Sequence, residues 1–150
     1  MPILHDKAFA SSKTSLEITV TPKCETGCTI NITFHFGGNP LAFTFPVLRR
    51  DIQKIYTFIL DRWEYLLHTG EIESSDPAFS FKISEQAIWA PTEPAYFQFQ
   101  FRIDTGEFNS YHHSSSGLVI AIYQDKKTIE QFAIELKEHF EAIHENVITQ

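Results

Sequence analysis

The chain has 150 residues, a formal net charge of −7 and a hydrophobic fraction of 43% that includes 14 phenylalanines. This length and composition predict one folded domain over residues 1–150, with residues 1–13 as a flexible arm. The acidic excess argues against a nucleic-acid partner, because binding to phosphates requires a basic face. No apolar run reaches the roughly 20 residues of a membrane span, and the first residues lack the apolar core of a secretion signal, so we expect a cytoplasmic protein with no membrane partner.

Three strands are predicted in the first half of the chain. Apolar and polar residues alternate over residues 16–20, 30–36 and 41–45, which is the pattern of strands with one buried face. Gly37 and Gly38 mark the turn between the second and third of these strands.

The longest regular pattern predicts one amphipathic helix over residues 47–68. Its apolar residues recur at steps of three and four, as they do on one face of a helix. Pro46 precedes this run and Gly70 follows it, and both residue types are typical of helix boundaries. An apolar stripe of this width requires a flat apolar partner, which the alternating strands can supply.

The second half repeats the order of strands followed by a helix. Alternation predicts strands over residues 79–83, 97–103 and 118–123, and a helix over residues 125–147 with Asp125 as its N-cap. Because every clear strand has one apolar and one polar face, the predicted fold class is α+β: one antiparallel sheet of about six to seven strands with two helices packed on one face, a two-layer sandwich. The polar face of that sheet, a candidate docking surface, would carry Asn31, Thr33, His35, Gln98, Gln100 and Arg102.

Cys24 and Cys28 are the two cysteines of the chain. In a reducing compartment they are expected to be free thiols, with a disulfide across the intervening turn as the alternative. One such pair, without a histidine at zinc-finger spacing, does not make a zinc site. We therefore predict no metal and no cofactor.

The polar tract over residues 111–117 contains the most conspicuous candidate for chemistry. Tyr111, His112 and His113 could line the pocket of a small-molecule-binding or hydrolytic enzyme, with Asp104 or Glu107 as the nearest acidic partner in sequence. Adjacent histidines on an extended chain point in opposite directions, so an exposed loop is the competing interpretation. The serines beside them lack the Gly-x-Ser-x-Gly context of a hydrolase nucleophile.

Two junctions between a helix and a strand carry a resemblance to a known family. The first junction reads LHTGEIE over residues 67–73, and the second reads LVIAIY over residues 118–123 followed by QDKKTI over residues 124–129. This succession, spread over roughly residues 15–145, resembles the bacterial immunity proteins of the WapI-like type, which neutralise a toxin delivered by a neighbouring cell. The resemblance implies binding of another protein by surface complementarity, and it implies no catalytic residue.

A binding role of this kind fits the acidic composition. Carboxylates placed over the basic cleft of a toxin would speed encounter and exclude wrong partners. The first hypothesis is therefore a non-enzymatic protein-binding module whose partner is another protein, most concretely a basic toxin domain, and the alternative is the enzyme described above. The predicted partner-binding residues are Asp104, Glu107, Glu138, Glu141 and Glu145.

Overall fold

A computed structural model describes residues 2–7, 13–74, 79–85, 96–103 and 118–148, with side chains up to residue 143. The protein is α+β, with two antiparallel sheets of four strands each and three helices. The prediction of one sheet of six to seven strands with two helices is therefore wrong, although the class and the antiparallel pairing are confirmed. The elements are β1 Ile3–His5, β2 Ser15–Pro22, β3 Gly27–Phe36, β4 Asn39–Leu48, α1 Arg49–Asp61, α2 Trp63–Thr69, β5 Ile72–Glu73, β6 Phe79–Glu85, β7 Tyr96–Ile103, β8 Leu118–Asp125 and α3 Lys126–Ile148.

Each half of the chain is an up-and-down meander followed by helix. Sheet A has the strand order β1-β2-β3-β4 and sheet B the order β5-β6-β7-β8, so neighbours in sequence are neighbours in space. Alternate residues of each strand face one continuous apolar core, as the period-two pattern predicts. The residues predicted for one polar face are divided between the outer faces of the two sheets: Asn31, Thr33 and His35 belong to sheet A, and Gln98, Gln100 and Arg102 to sheet B.

The helix predicted over residues 47–68 is two helices separated at Arg62. This residue has φ −135° and ψ 41°, outside the helical region, so the chain changes direction there. The bend allows Phe58 of α1 to meet Phe81 of β6, while Trp63 of α2 packs edge-on against Phe97 with ring centroids 4.9 Å apart. None of the described helices is long and apolar enough to cross a membrane.

The helices are exchanged between the two sheets. α2 follows sheet A in the chain but packs on β6 of sheet B, whereas α3 follows sheet B but packs chiefly on β2 of sheet A. α1 and α3 also pack against each other, with the rings of Tyr56 and Phe140 6.1 Å apart. Each sheet is therefore covered by a helix from the other half of the chain.

A seam between β1 and β8 joins the two sheets. The N–H of Lys7 donates to the carbonyl of Tyr123 at 2.8 Å, and the N–H of Tyr123 donates to Oδ1 of Asp6 at 2.8 Å. Leu4 is fully buried, and residues 3–5 of the expected arm pair with β2, while residues 8–12 lie outside the described part of the chain. The short strand was missed because three residues are too few for a pattern of alternation to show.

Candidate interaction surfaces

The structure describes two of the five predicted partner-binding side chains. Glu138 and Glu141 are exposed on α3. Glu145 lies in the same helix, but its side chain is outside the described part of the chain, as are Asp104 and Glu107.

The alternative enzyme site falls on residues that are not described. Tyr111, His112 and His113 all lie in the interval 104–117. The enzyme alternative thus stays a sequence prediction. Within the described ranges, no three His, Cys, Asp or Glu side chains are grouped so that they could hold a metal ion.

The outer face of sheet B carries a polar cluster beside one end of its strands. The hydroxyl of Ser80 donates to Oε1 of Glu71 at 2.7 Å, and Nε of Arg102 lies 3.4 Å from the same oxygen. One row further along the sheet, the amide of Gln100 donates to Oε1 of Gln98 at 2.7 Å.

The register of sheet B brings two acidic connections to this same end. Phe79 pairs with Ile103, and Ile103 pairs with Leu118, so the strand ends that border residues 75–78 and 104–117 lie side by side. Those two intervals contain Asp76, Asp104 and Glu107 and no Lys or Arg. Three acidic residues, with no basic residue among them, therefore lie in connections that attach at this end of sheet B.

The described part of the chain carries only a small share of the net charge of −7. The sequence has 19 Asp and Glu against 12 Lys and Arg. All 12 basic side chains lie in the described part, where 14 acidic ones nearly balance them. The five remaining acidic side chains are Asp76, Glu93, Asp104, Glu107 and Glu145.

The two cysteines occupy opposite sides of the β2–β3 turn and are free thiols, as predicted. A Cβ placed on Gly27 would lie 3.1 Å from Sγ of Cys24, so this sulfur is on the side to which residue 27 points. Cys28, the next residue in the strand, points to the other side and is 1% exposed. This geometry separates the sulfurs and explains why no disulfide forms.

Apolar side chains continue along sheet A beyond the area that the helices cover. Phe36 is 61% exposed and Leu41 48% exposed, and both lie on the core-facing side of the β3–β4 hairpin. The rings of Phe34 and Phe36 stack with centroids 6.4 Å apart. We call the five residues of this surface the hairpin patch: Phe34, Phe36, Leu41, Phe43 and Phe45.

The hairpin patch is the candidate surface that sequence reasoning missed. The alternating pattern identifies these residues as core, and it is correct about the face to which they point. It carries no information about how far a helix reaches along that face. A signal was nevertheless present, because the pattern runs to the very tip of the hairpin, where a helix seldom covers a sheet.

One concave feature lies at the opposite end of sheet A. It is a shallow depression with room for about one water, near 10 Å³, between β2, the start of β3 and the helices. Its walls come from Val20, Pro22, Cys28, Arg49, Phe140 and Ile143.

Comparison with known protein families, with curated proteins and with solved structures finds no match to this chain.

Proposed function

We propose that this chain is a non-enzymatic protein-binding module, most concretely an immunity protein that neutralises a cognate bacterial toxin. The observation that carries the proposal is the end of sheet B at which the connections over residues 75–78 and 104–117 attach, since these connections contain Asp76, Asp104 and Glu107 and no Lys or Arg. A rigid sheet end is a suitable platform for carboxylates that face a basic partner. The resemblance of the helix–strand junctions to WapI-like immunity proteins points to the same role.

The proposed mechanism is electrostatic steering followed by occlusion. Asp104 and Glu107 would meet basic side chains around the active cleft of the toxin, and complementary potentials would raise the association rate. Glu138, Glu141 and Glu145 on α3 would form a second acidic contact. Occupation of the cleft by the immunity protein would then keep the substrate of the toxin out.

The first test is rescue of growth. The chain is co-expressed with the product of the gene encoded next to it, and growth and complex formation are followed by culture density and size-exclusion chromatography. Rescue together with a complex supports the proposal. Growth arrest that persists despite soluble expression of both chains contradicts it.

The second test separates specific contacts from overall charge. The variant Asp104→Asn/Glu107→Gln should lower the association rate by about tenfold and weaken its dependence on salt. The matched control is Glu64→Gln/Glu85→Gln, which removes the same charge from exposed positions away from that end of sheet B. Equal rates for the two variants would show that net charge, and not this surface, guides the partner.

A further inference from the structure

The outer strand of sheet A carries two prolines but lacks the charged side chains that commonly protect an edge. β4 spans Asn39–Leu48 with the sequence NPLAFTFPVL, which contains no charged residue. Within the described part of the chain it pairs with β3 alone, and its residues 39–42, 44 and 46 are exposed. Edge strands usually carry lysines or other charges that discourage pairing with a further strand. An uncharged edge in a protein of net charge −7 is therefore open to a partner strand.

The hairpin geometry fixes which backbone groups of β4 face outward. Gly37 and Gly38 both have positive φ, 58° and 86°, as in the two-residue turn that closes a tight hairpin. The flanking pair, Phe36 and Asn39, then exchanges both backbone hydrogen bonds. Alternation along the strand directs the backbone groups at even-numbered positions of β4 away from β3.

The pairing of β3 with β2 confirms which backbone groups of β4 face away from β3. The backbone groups of a β3 residue that bond to β4 cannot also bond to β2. Ile18 and Val20 lie opposite such residues of β3, so their N–H groups must point away from β3. They do so, because Ile18 donates to the carbonyl of Pro2 at 3.1 Å and Val20 donates to Nε2 of His139 at 2.9 Å. The outward series of β4 therefore includes Pro40, Ala42, Thr44 and Pro46.

This outward series is symmetric about Phe43. If a second β4 approaches in the antiparallel sense, Ala42 of one protomer lies opposite Thr44 of its partner, and each such pair exchanges two N–H···O=C bonds. Pro40 then lies opposite Pro46, and neither residue has an N–H group that would be left without an acceptor. The edge is self-complementary, with two donors in the middle and a proline at either end.

The side chains fit the same arrangement. Phe43 would face its own copy, and Leu41 would face Phe45, so the hairpin patch of one protomer would continue into that of the other. Aromatic and aliphatic pairs of this kind stabilise antiparallel strands. Because β4 carries no charge, two copies of an acidic protein can approach here without placing like charges opposite one another.

We propose that a second copy of this chain binds along β4, giving a two-fold symmetric dimer in which the two A sheets form one continuous sheet of eight strands. Such an interface is isologous, as in most soluble homodimers, with the two-fold axis passing beside Phe43. This inference is independent of the toxin-binding proposal, which concerns sheet B and α3.

The first experiment measures mass against concentration by analytical ultracentrifugation. The full chain should sediment as a dimer, and Ala42→Pro should raise its dissociation constant by about tenfold or more, since it removes one donor from each protomer. Circular dichroism checks that the variant is folded. A proline at Thr33 would not serve as a control, because β3 is paired on both sides and the substitution would disrupt the sheet itself. The matched control is Thr29→Ala, a side-chain change on the outer face of sheet A that alters no edge donor and should leave the dimer intact.

A second experiment locates the axis even if Ala42→Pro does not fold. In a Cys24→Ser background, Phe43→Cys should form an intermolecular disulfide on treatment with diamide, which takes up the two thiol hydrogens. Residues facing each other at a non-hydrogen-bonded position have Cα atoms about 4.5 Å apart, within the range of a disulfide. Leu41→Cys is the matched control, because its own copy would lie several residues away along the partner strand.

A dimer weakened by Ala42→Pro, with cross-linking at position 43 and not at 41, supports the proposal. A chain that remains monomeric at its highest soluble concentration overturns it, as does a dimer indifferent to Ala42→Pro or equal cross-linking at both positions.

Discussion

Sheets A and B follow the same plan but use their aromatic residues differently. In sheet B the phenylalanines of β6 and β7 line the buried face, and Phe99 touches Phe81, Phe101 and Phe132. In sheet A the buried positions of β2 and β3 are largely aliphatic, and the phenylalanines gather on the half-exposed hairpin patch. Alternation along a strand therefore determines the face to which a side chain points, whereas the reach of the covering helix determines how deeply it is buried.

Truncation of one phenylalanine in each sheet should give the largest contrast. Phe99→Ala removes a fully buried ring and should lower the free energy of unfolding by about 3–5 kcal/mol. Phe36→Ala removes a ring that is mostly in water and should change it by less than about 0.5 kcal/mol. Urea denaturation followed by tryptophan fluorescence measures both, and similar losses for the two variants would contradict the difference in burial.

His139 connects the halves, and its removal should give the next largest effect. Its Nε2 accepts the N–H of Val20, an edge group of β2 that lies beyond the reach of the short strand β1. His139→Ala leaves this buried donor without an acceptor and should cost about 1–3 kcal/mol. Chemical denaturation at pH 8 provides the measurement, since the imidazole is neutral there.

The same contact predicts a dependence on pH. Burial lowers the pKa of His139 below its ordinary value of 6.5. The unfolded chain therefore takes up a proton near pH 6.5 while the folded chain resists until lower pH, so stability is full above 6.5 and falls as the pH drops below it. His139→Gln keeps an acceptor that does not titrate, and the difference between its stability and that of the wild type should shrink or reverse toward pH 5. A constant difference from pH 8 to 5 would exclude this role.

The starts of α1 and α3 differ in capping, which predicts a smaller effect. At α3, Oδ1 of Asp125 accepts the N–H of Thr128 at 2.8 Å, so the predicted N-cap is confirmed. Burial alone would raise the pKa of Asp125, but the hydrogen bonds from Thr128 outweigh it and lower the pKa. At α1, Leu48 makes no side-chain cap bond within the described part, and the N–H of Arg49 donates to the carbonyl of Thr26 instead.

Asp125→Ala should therefore destabilise the protein by about 1 kcal/mol, whereas Asp125→Asn, which can still accept the bond, should cost less. Thermal unfolding at neutral pH compares the two variants. The aspartate contribution should be present above pH 3.8 and disappear as the pH falls below that value. An asparagine variant as unstable as the alanine variant would indicate that the charge, and not the cap bond, matters.

The smallest effect concerns reactivity and leaves stability unchanged. Sγ of Cys24 accepts the N–H of Gly27 at 3.2 Å, and hydrogen bonds from Thr26 and Gly27 lower the pKa of this exposed thiol. Burial raises the pKa of Cys28 to about 11. Iodoacetamide should modify Cys24 in the folded protein and Cys28 after denaturation, as peptide mass mapping would show. Modification of both thiols at one rate under native conditions would mean that the turn opens readily.

Much of the fold could be predicted because local alternation is strong. The strands around residues 16–20, 30–36, 97–103 and 118–123 all exist, and the helix ends near Gly70 and Asp125 are correct. The division into two sheets could not be predicted, because alternation shows which face of a strand is buried but not which strands pair, and β4 and β5 belong to different sheets. The interruption at Arg62 was also hidden, because the apolar period continues through it.

The candidate surfaces were predictable in part for a similar reason. Charge can be counted directly from a sequence, so the acidic segments could be recognised, but Asp104 and Glu107 lie outside the described residues and their role stays a prediction. The edge of β4 required the strand order, because nothing in the letters NPLAFTFPVL tells an outer strand from an inner one. The spacing of its two prolines becomes informative once the hairpin shows that both lie at positions whose backbone groups face away from β3.

Because the helices are exchanged between the sheets, sheet A cannot be fully covered during synthesis until α3 has been made. β2 leaves the ribosome early, but α3, which covers it and supplies the acceptor for Val20 from 119 positions away, is the last of the described elements to be made. Leu16 and Ile18 therefore lack the cover of α3 on the nascent chain until that helix has emerged. Contacts over such separations in sequence also slow folding, so completion of sheet A is expected to depend on the last helix of the described chain.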